Sequence, residues 1–344
     1  MPERGAPGAC STARPGAGGL RRELASLPVR IDAAAVEIAP IALASYPDGP
    51  RPSSIVTLSG GGHRGHGENV SWTGEAHREL RGVITQAVPR AELHLGELAR
   101  LLATRLASPY DRAAIEAAAI DLALRQQGTN LFRLAGATSR PVRYVVSLAR
   151  PADPRAAIAS ELARAPHLEI KLDVDPAWNA ETYAELAELG RIVVLDFKLA
   201  GAREDHERAH RALPHALIED PLPSAGPWSR ALRARLSFDG PLRGAADLAR
   251  LPERPAAVNI KPARMGGVLE ALACIDGCTA QGIAVYMGGM FEADVGRTQL
   301  RELAALFCPD ETNDIAPLDR VERAAPRPER LEVERARAGF GVAS

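Results

Sequence analysis

The sequence predicts an α/β chain in which a closed parallel barrel follows an α+β unit. Two observations carry this. From residue 141 short apolar runs recur, each followed by a helical stretch: VRYVVSLA, LEIKLDVD, IVVLDFKLAG, HALIEDPL, RLSFDGPL, AVNIKPARMGG and IAVYMGGMF. Charged residues close successive runs at a steady interval. Lys171 to Asp196 is 25 residues, Asp196 to Glu219 is 23, Glu219 to Asp239 is 20 and Asp239 to Lys261 is 22. That is the repeat of a βα unit. In parallel barrels reactive groups stand at the C-terminal strand ends, where these charges fall. A doubly wound open sheet shares the repeat, but it does not explain why each strand would end in a charge aimed at one place.

Taken in order, residues 1–20 begin MPERGAPGACSTARPGAGG and lack the apolar core of a signal peptide; they read as a disordered leader. Residues 21–136 read as the α+β unit. Apolar or alternating runs over 28–75 (PVRIDAAAVEIAPI, SSIVTLSG) lead into the glycine cluster GGGHRGHGE, which ends at Glu68. His63 and His66 read there as solvated turn residues. Apolar residues at helical spacing follow in EAHRELRGVI and AELHLGELARLLATRL. Another helix opens on Ser108-Pro109 and closes on Gly128. The barrel takes residues 137–322. The tail, 323–344, carries Gly339 and Gly341 and is expected to pack back onto the first unit.

Composition narrows the function. A chain of 344 residues with 46% hydrophobic and 25% charged residues is that of a soluble globular protein. A net charge of −1 gives no case for nucleic acid or an acidic membrane surface. No run of about 18 apolar residues is present, so no transmembrane helix is expected. Four cysteines suit a reducing compartment, and the localisation expected is cytoplasmic. Cys274 and Cys278, four apart in a helix, read as buried small residues.

The positive charges are unequal. Of 42 Lys plus Arg only three are lysine: Lys171, Lys198 and Lys261. Strand residues two apart share a face, so Lys171 lies with Asp173, and Asp196 with Lys198. Lys261 ends the sixth run. All three ammonium groups therefore converge on one pocket. Arginine cannot serve as a base, whereas lysine can once its surroundings lower its pKa. Any one acid after a strand is as well read as a helix cap. Asp196, Glu219 and Asp239 together end three consecutive strands, where their mutual repulsion calls for a hard cation such as Mg2+.

This pattern resembles the enolase superfamily and, within it, the subgroup of muconate-lactonizing enzyme and o-succinylbenzoate synthase (the mandelate racemase/muconate lactonizing enzyme type). The resemblance runs over about residues 25–342. It rests on GHGE ending at Glu68, on SPYDRAAIEAAAIDLALR, on the series Asp196, Glu219 (in IEDP) and Asp239, on NIKPARMGG with Lys261, on GGMFE, and on the GFG tail. It implies a modified TIM barrel of (β/α)7β type with an α+β capping domain. It implies Mg2+, with Mn2+ as the alternative, on Asp196, Glu219 and Asp239. The reaction implied is abstraction of the proton alpha to a carboxylate of a small organic acid, leading to cycloisomerisation, dehydration or epimerisation by an isomerase or lyase. Lys261 would be one acid/base, with Lys171, Lys198 and Asp173 as its catalytic company. Arg264 would hold a substrate carboxylate or pair with Asp239, Glu292 and Asp294 at the end of the seventh strand would line the pocket, and Tyr46 would face substrate from the loop YPDGPRPS over residues 46–53, which in this family closes over the site. Homo-oligomerisation is left open by relatives that are often oligomeric.

The chain departs from the family's pattern at three places. Where the second strand commonly ends Lys-x-Lys, it reads Lys171-Leu-Asp173. Lys198 stands where Asn is frequent. Gly240 follows Asp239 where a second acid is usual. DVDPAW (173–178) also resembles a metal-ligand strand, which would make Asp173 the first ligand instead of Asp196. Trp178 reads as helix-start packing and Asp314 as a helix or turn cap. The alternatives to a metal-assisted enzyme are a Schiff-base lysine lyase on this barrel and a pseudoenzyme keeping the fold as a binding module.

Overall fold

The computed structural model describes residues 16–41, 51–317 and 327–342. The first unit comprises helix α1 (Ala17–Ser26), strands β1 (Pro28–Arg30), β2 (Ala33–Ile41), β3 (Arg51–Gly60) and β4 (His63–Asn69), helix α2 (Gly74–Ala87), strand β5 (Glu92–His94) and helices α3 (Leu95–Arg105), α4 (Pro109–Gln126) and α5 (Leu131–Leu134). Strands β2, β3 and β4 form an antiparallel sheet. Gly61 and Gly62, both left-handed at φ 59° and 81°, make the two-residue turn between β3 and β4. That conformation matches the twist of a hairpin and favours glycine.

The alanine-rich face of α4 lies directly on β4. A side chain at Gly65 would come within 2.2 Å of the Ala118 carbonyl, and one at Gly67 within 2.1 Å of that of Ala114. The glycines of GHGE therefore exist so that a helix can touch a strand. His63 and His66 belong to β4 and not to a turn; His66 Nδ1 lies 3.2 Å from Thr57 Oγ1.

The second unit carries seven parallel strands: β6 (Val145–Leu148), β7 (Glu169–Asp173), β8 (Ile192–Asp196), β9 (Leu217–Glu219), β10 (Leu236–Phe238), β11 (Ala257–Ile260) and β12 (Ala284–Met287). All seven apolar runs of the sequence supply a strand, and neighbours in sequence are neighbours in the sheet. Helices α6 (Pro154–Arg164), α7 (Ala180–Glu188), α8 (Arg203–Ala212) and α9 (Arg230–Arg233) separate the strands from β6 to β10; a 3-10 helix over Ala245–Arg250 stands between β10 and β11, α10 (Pro262–Met265) and α11 (Val268–Gln281) both follow β11, and α12 (Val295–Phe307) follows β12. Closure comes from residues 313 and 314. Asn313 bridges to Tyr144 beside β6, and Asp314 to Gly288 beside β12. This is the eighth-strand place of a (β/α)7β barrel, with the α+β unit as its cap.

Helix α1 begins at Ala17, and Ala17, Gly18 and Leu20 are buried. The leader read over residues 1–20 is thus helical at its end, because Leu20 and Leu24 find a core to enter; residues 1–15 lie outside the described residues. The tail returns to the first unit: the Phe340 amide donates to Asp121 at 2.8 Å and that of Gly339 to the Thr129 carbonyl at 2.8 Å. Cys274 and Cys278 are buried in α11.

Buried Glu116 of α4 accepts the Leu269 amide at 2.9 Å, joining cap to barrel. Burial pushes its pKa from 4.5 up to about 7. The fold thus favours the protonated form. The associated stability is complete below about pH 4.5 and is lost as pH rises through 7. Glu116→Gln is expected to flatten that part of the pH profile and to stabilise the chain at pH 8 by up to about 3 kcal/mol. Urea unfolding at pH 5 and pH 8 measures it; an unchanged slope would mean that Glu116 ionises without cost.

Candidate active site

A cavity of about 550 Å3 opens at the C-terminal ends of the barrel strands. Lys171, Asp173, Lys198, Asp239, Lys261 and Arg264 line it. Asp196 and Glu219 are fully buried. The ladder sets these acids side by side: Asp173 pairs in register with Asp196, and Asp196 with Glu219. Asp196 therefore stands one strand from Glu219, and Asp173 stands two away.

Lys171, within β7, sends its ammonium among the acids. It contacts Glu219 and lies 3.1 Å from Asp196 and 3.4 Å from Asp314. Burial works against its charge, but Glu219, Asp196 and Asp314 outweigh burial and hold its pKa well above the ordinary lysine value. Lys198 arrives by a route that strand alternation does not provide. β8 stops at Asp196, and Lys198 and Leu199 are both left-handed, at φ 52° and 61°. Such consecutive conformations are costly for non-glycine residues. The turn folds the Lys198 ammonium back onto Asp196 and to 3.2 Å from Asp173. Again burial opposes the charge and Asp196 overrides it, raising the lysine.

Farther round the barrel, Asp239 receives Lys261 at 2.9 Å and Arg264 at 2.7 Å. Burial would raise this acid; Lys261 and Arg264 bring it below the usual carboxylate range. Glu219 is pushed up to about 8, first by burial and then by Asp196, Asp239 and Asp220, against the pull of Lys171. Its second oxygen accepts the Tyr286 hydroxyl. Every oxygen of Asp196, Glu219 and Asp239 thus has a donor from this chain: the Lys198 amide and ammonium, Lys171, Tyr286, Arg264 and Lys261. Among the described residues no three His, Cys, Asp or Glu are set as an open metal cradle.

Four further features shape the site. Asp220 follows Glu219 and accepts the amides of Asp239 and Gly240, each at 2.8 Å. It fills the space over Gly240, where an added Cβ would lie 3.0 Å from its carboxylate. Burial, then Asp239, pushes Asp220 up to about 6. Asp314, read as a cap from sequence, lies on the cavity wall. Tyr286 joins Glu219 to Ser237, whose hydroxyl is 2.7 Å away. Trp72 of the cap and Phe291 of the barrel meet edge-on at 6.1 Å on the cavity wall, with Arg51 stacked 4.2 Å over Trp72. Asp220 stands in IEDP, and Tyr286 and Phe291 in the seventh apolar run; Asp314 is brought in by closure and Trp72 by the cap.

Two candidates fall elsewhere. Glu292 turns into its own loop and accepts the Met290 amide at 3.1 and 2.9 Å, while Asp294 sits at the N-cap of α12; neither lines the cavity. The short loop bends both away from the mouth. Arg264 is spent on Asp239. Tyr46 lies outside the described residues, and Arg51–Ser53 of its loop are strand β3. Trp178 packs edge-on against Tyr183 at 5.9 Å.

Comparison with known proteins gives the following. Residues 22–134 match the family model described as "Domain of unknown function (DUF8230) N-terminal domain", and residues 138–320 match its C-terminal counterpart. The chain is 36% identical over 153 residues to an N-succinylamino acid racemase of Amycolatopsis sp, covering 41% of each chain. It is 28% identical over 283 residues to an N-succinylamino acid racemase of Thermus thermophilus, covering 73% of this chain and 74% of that one. To an o-succinylbenzoate synthase of Enterococcus faecalis it is 27% identical over 209 residues, 54% of each. Among solved structures, a dipeptide epimerase of Enterococcus faecalis superposes with TM-score 0.75 at 22% identity, covering 92% of this chain and all of that one (100%). A dipeptide epimerase of Methylococcus capsulatus, complexed with a Mg ion, gives 0.73 at 25% identity over 91% and 99%. A Listeria innocua protein described as a member of the enolase superfamily gives 0.72 at 21% identity over 91% and 94%. No described helix is long and apolar enough to cross a membrane.

Proposed function

This chain belongs to the DUF8230 family, within the enolase superfamily, and on that premise we propose that it removes the proton alpha to a carboxylate of a small organic acid, assisted by Mg2+. The observation that carries the proposal is the gathering of the chain's only three lysines and its strand-end acids around one cavity. The relatives' names, N-succinylamino acid racemase and o-succinylbenzoate synthase, and the epimerases among the structural neighbours, point to racemase, epimerase or synthase chemistry on N-acyl amino acids or similar carboxylates.

The donor set suits a hard divalent cation. Asp196, Glu219 and Asp239 offer oxygens from three neighbouring strand ends, and an ammonium already lodges between two of them. These three would hold the ion, which when bound supplies positive charge to a substrate carboxylate as its alpha carbon loses a proton. Lys261, on the cavity wall, is placed to take that proton, and Arg264 keeps Asp239 oriented. Lys198 and Asp173 form a charge pair where relatives of this type carry the second lysine. That pair favours an acid/base arrangement with one strong base and not two. The aromatic wall of Trp72 and Phe291 would shield the reacting carbon from water.

Full internal neutralisation of the acid row also supports a second reading, a binding module that keeps the fold without turnover. One experiment separates the two: N-acyl amino acids and dipeptides incubated in D2O with Mg2+ and the chain, followed by NMR. The proposal expects loss of the alpha-proton signal, abolished in Asp196→Asn. No exchange on any carboxylate, with Mg2+ bound, would favour the binding module.

A further inference from the structure

We propose that Lys171 is the built-in counter-ion of the acid row, and that a divalent cation enters only by displacing its ammonium toward Asp314. The inference rests on the metal reading above and adds a gate to it. The Lys171 ammonium touches Glu219 and lies 3.1 Å from Asp196, so it occupies the space between two of the three oxygen donors. An ion held by the same oxygens cannot share that space. Two positive charges that close together in a buried site repel strongly, and a divalent ion doubles the repulsion. Metal and ammonium therefore exclude each other.

The geometry also supplies a place for the displaced group. Asp314, at the eighth-strand position, is 3.4 Å from the ammonium and reaches the cavity, with 17% of its side chain exposed. A swing about the outer bonds of the lysine would trade Asp196 and Glu219 for Asp314 and bring the ammonium to the cavity wall. There it would meet an anionic substrate group. Binding of the ion and presentation of Lys171 to substrate thus become one event, and the chain without metal is already compensated.

The test is calorimetry of Mg2+ on the full chain and its variants, with thermal melting in the presence and absence of Mg2+. Lys171→Met is expected to bind Mg2+ at least about tenfold more tightly than the wild type, because the competitor is gone. Its metal-free melting point should fall below that of the wild type and recover with Mg2+. Asp314→Asn leaves the acid row intact but removes the landing place; it should bind Mg2+ more weakly than the wild type. This second variant keeps the proposal open to failure if Lys171→Met does not fold. Wild-type binding with Lys171→Met no tighter, or with Asp314→Asn unchanged, overturns the gate and leaves the metal reading standing. Absence of binding in wild type and in both folded variants overturns the metal reading and the gate with it.

Discussion

Replacing Lys261 by alanine is expected to lower alpha-proton exchange by about 10³-fold while leaving the fold intact. Loss of a positioned general base typically costs 10²- to 10⁴-fold. Of the three lysines, Lys261 meets the fewest acids: one carboxylate, Asp239, at 2.9 Å. Lys171 has three within ion-pair reach and Lys198 two. Lys261 is thus the lysine whose ammonium is least committed to structure. Lys261→Arg sharpens the test. It keeps a positive charge beside Asp239 but cannot act as a base. Both variants should lose exchange, and both should retain Mg2+ binding, since the three proposed ligands are untouched. Exchange surviving in Lys261→Arg would move the base to Lys198 or Lys171.

Asn313→Ala is expected to cost about 3–5 kcal/mol of stability, read as a shift in the urea midpoint. Asn313 holds the seam of the barrel. Its side-chain amide donates to the carbonyls of Cys308, Arg143 and Glu311 at 2.8, 3.0 and 3.0 Å, and its oxygen accepts the Met287 amide at 2.8 Å. The residue is fully buried. Each partner left unsatisfied in the interior costs about 1–3 kcal/mol. Asn313→Asp should be no milder, since it turns a carboxylate oxygen toward three carbonyls. Because the seam carries Asp314 into the cavity, Asn313→Ala should also weaken Mg2+ binding. A midpoint unchanged within error would show that the backbone bridges close the barrel without it.

The sequence by itself determined the architecture and singled out Lys171, Asp173, Lys198, Asp239, Lys261 and Arg264, which line one cavity. Every barrel strand lies within one of the apolar runs, and of the charges spaced 20 to 25 residues apart all but Lys171, which lies within β7, fall at strand ends or just beyond them. These signals are local: a strand needs a short apolar run, and a βα unit needs a fixed length of chain. The same spacing brought Lys171 and Lys261 to one pocket; Lys198, expected there by strand alternation, reaches it by a turn beyond β8 instead. The pairs Lys198–Asp173 and Arg264–Asp239 were open to a reading of the sequence; tertiary structure decided how they form and chose the other partners. Lys198 reaches Asp173 through a left-handed turn that its residue types do not favour. Asp314 joins Lys171 because the barrel closes, bringing the eighth-strand position beside β6. Glu292, adjacent in sequence to cavity residues, bends away to cap its own loop. Trp72 arrives from the cap. Periodicity places a residue on an element, but the partner of a buried charge is chosen by closure over long stretches of chain, where desolvation penalises any group left unpaired.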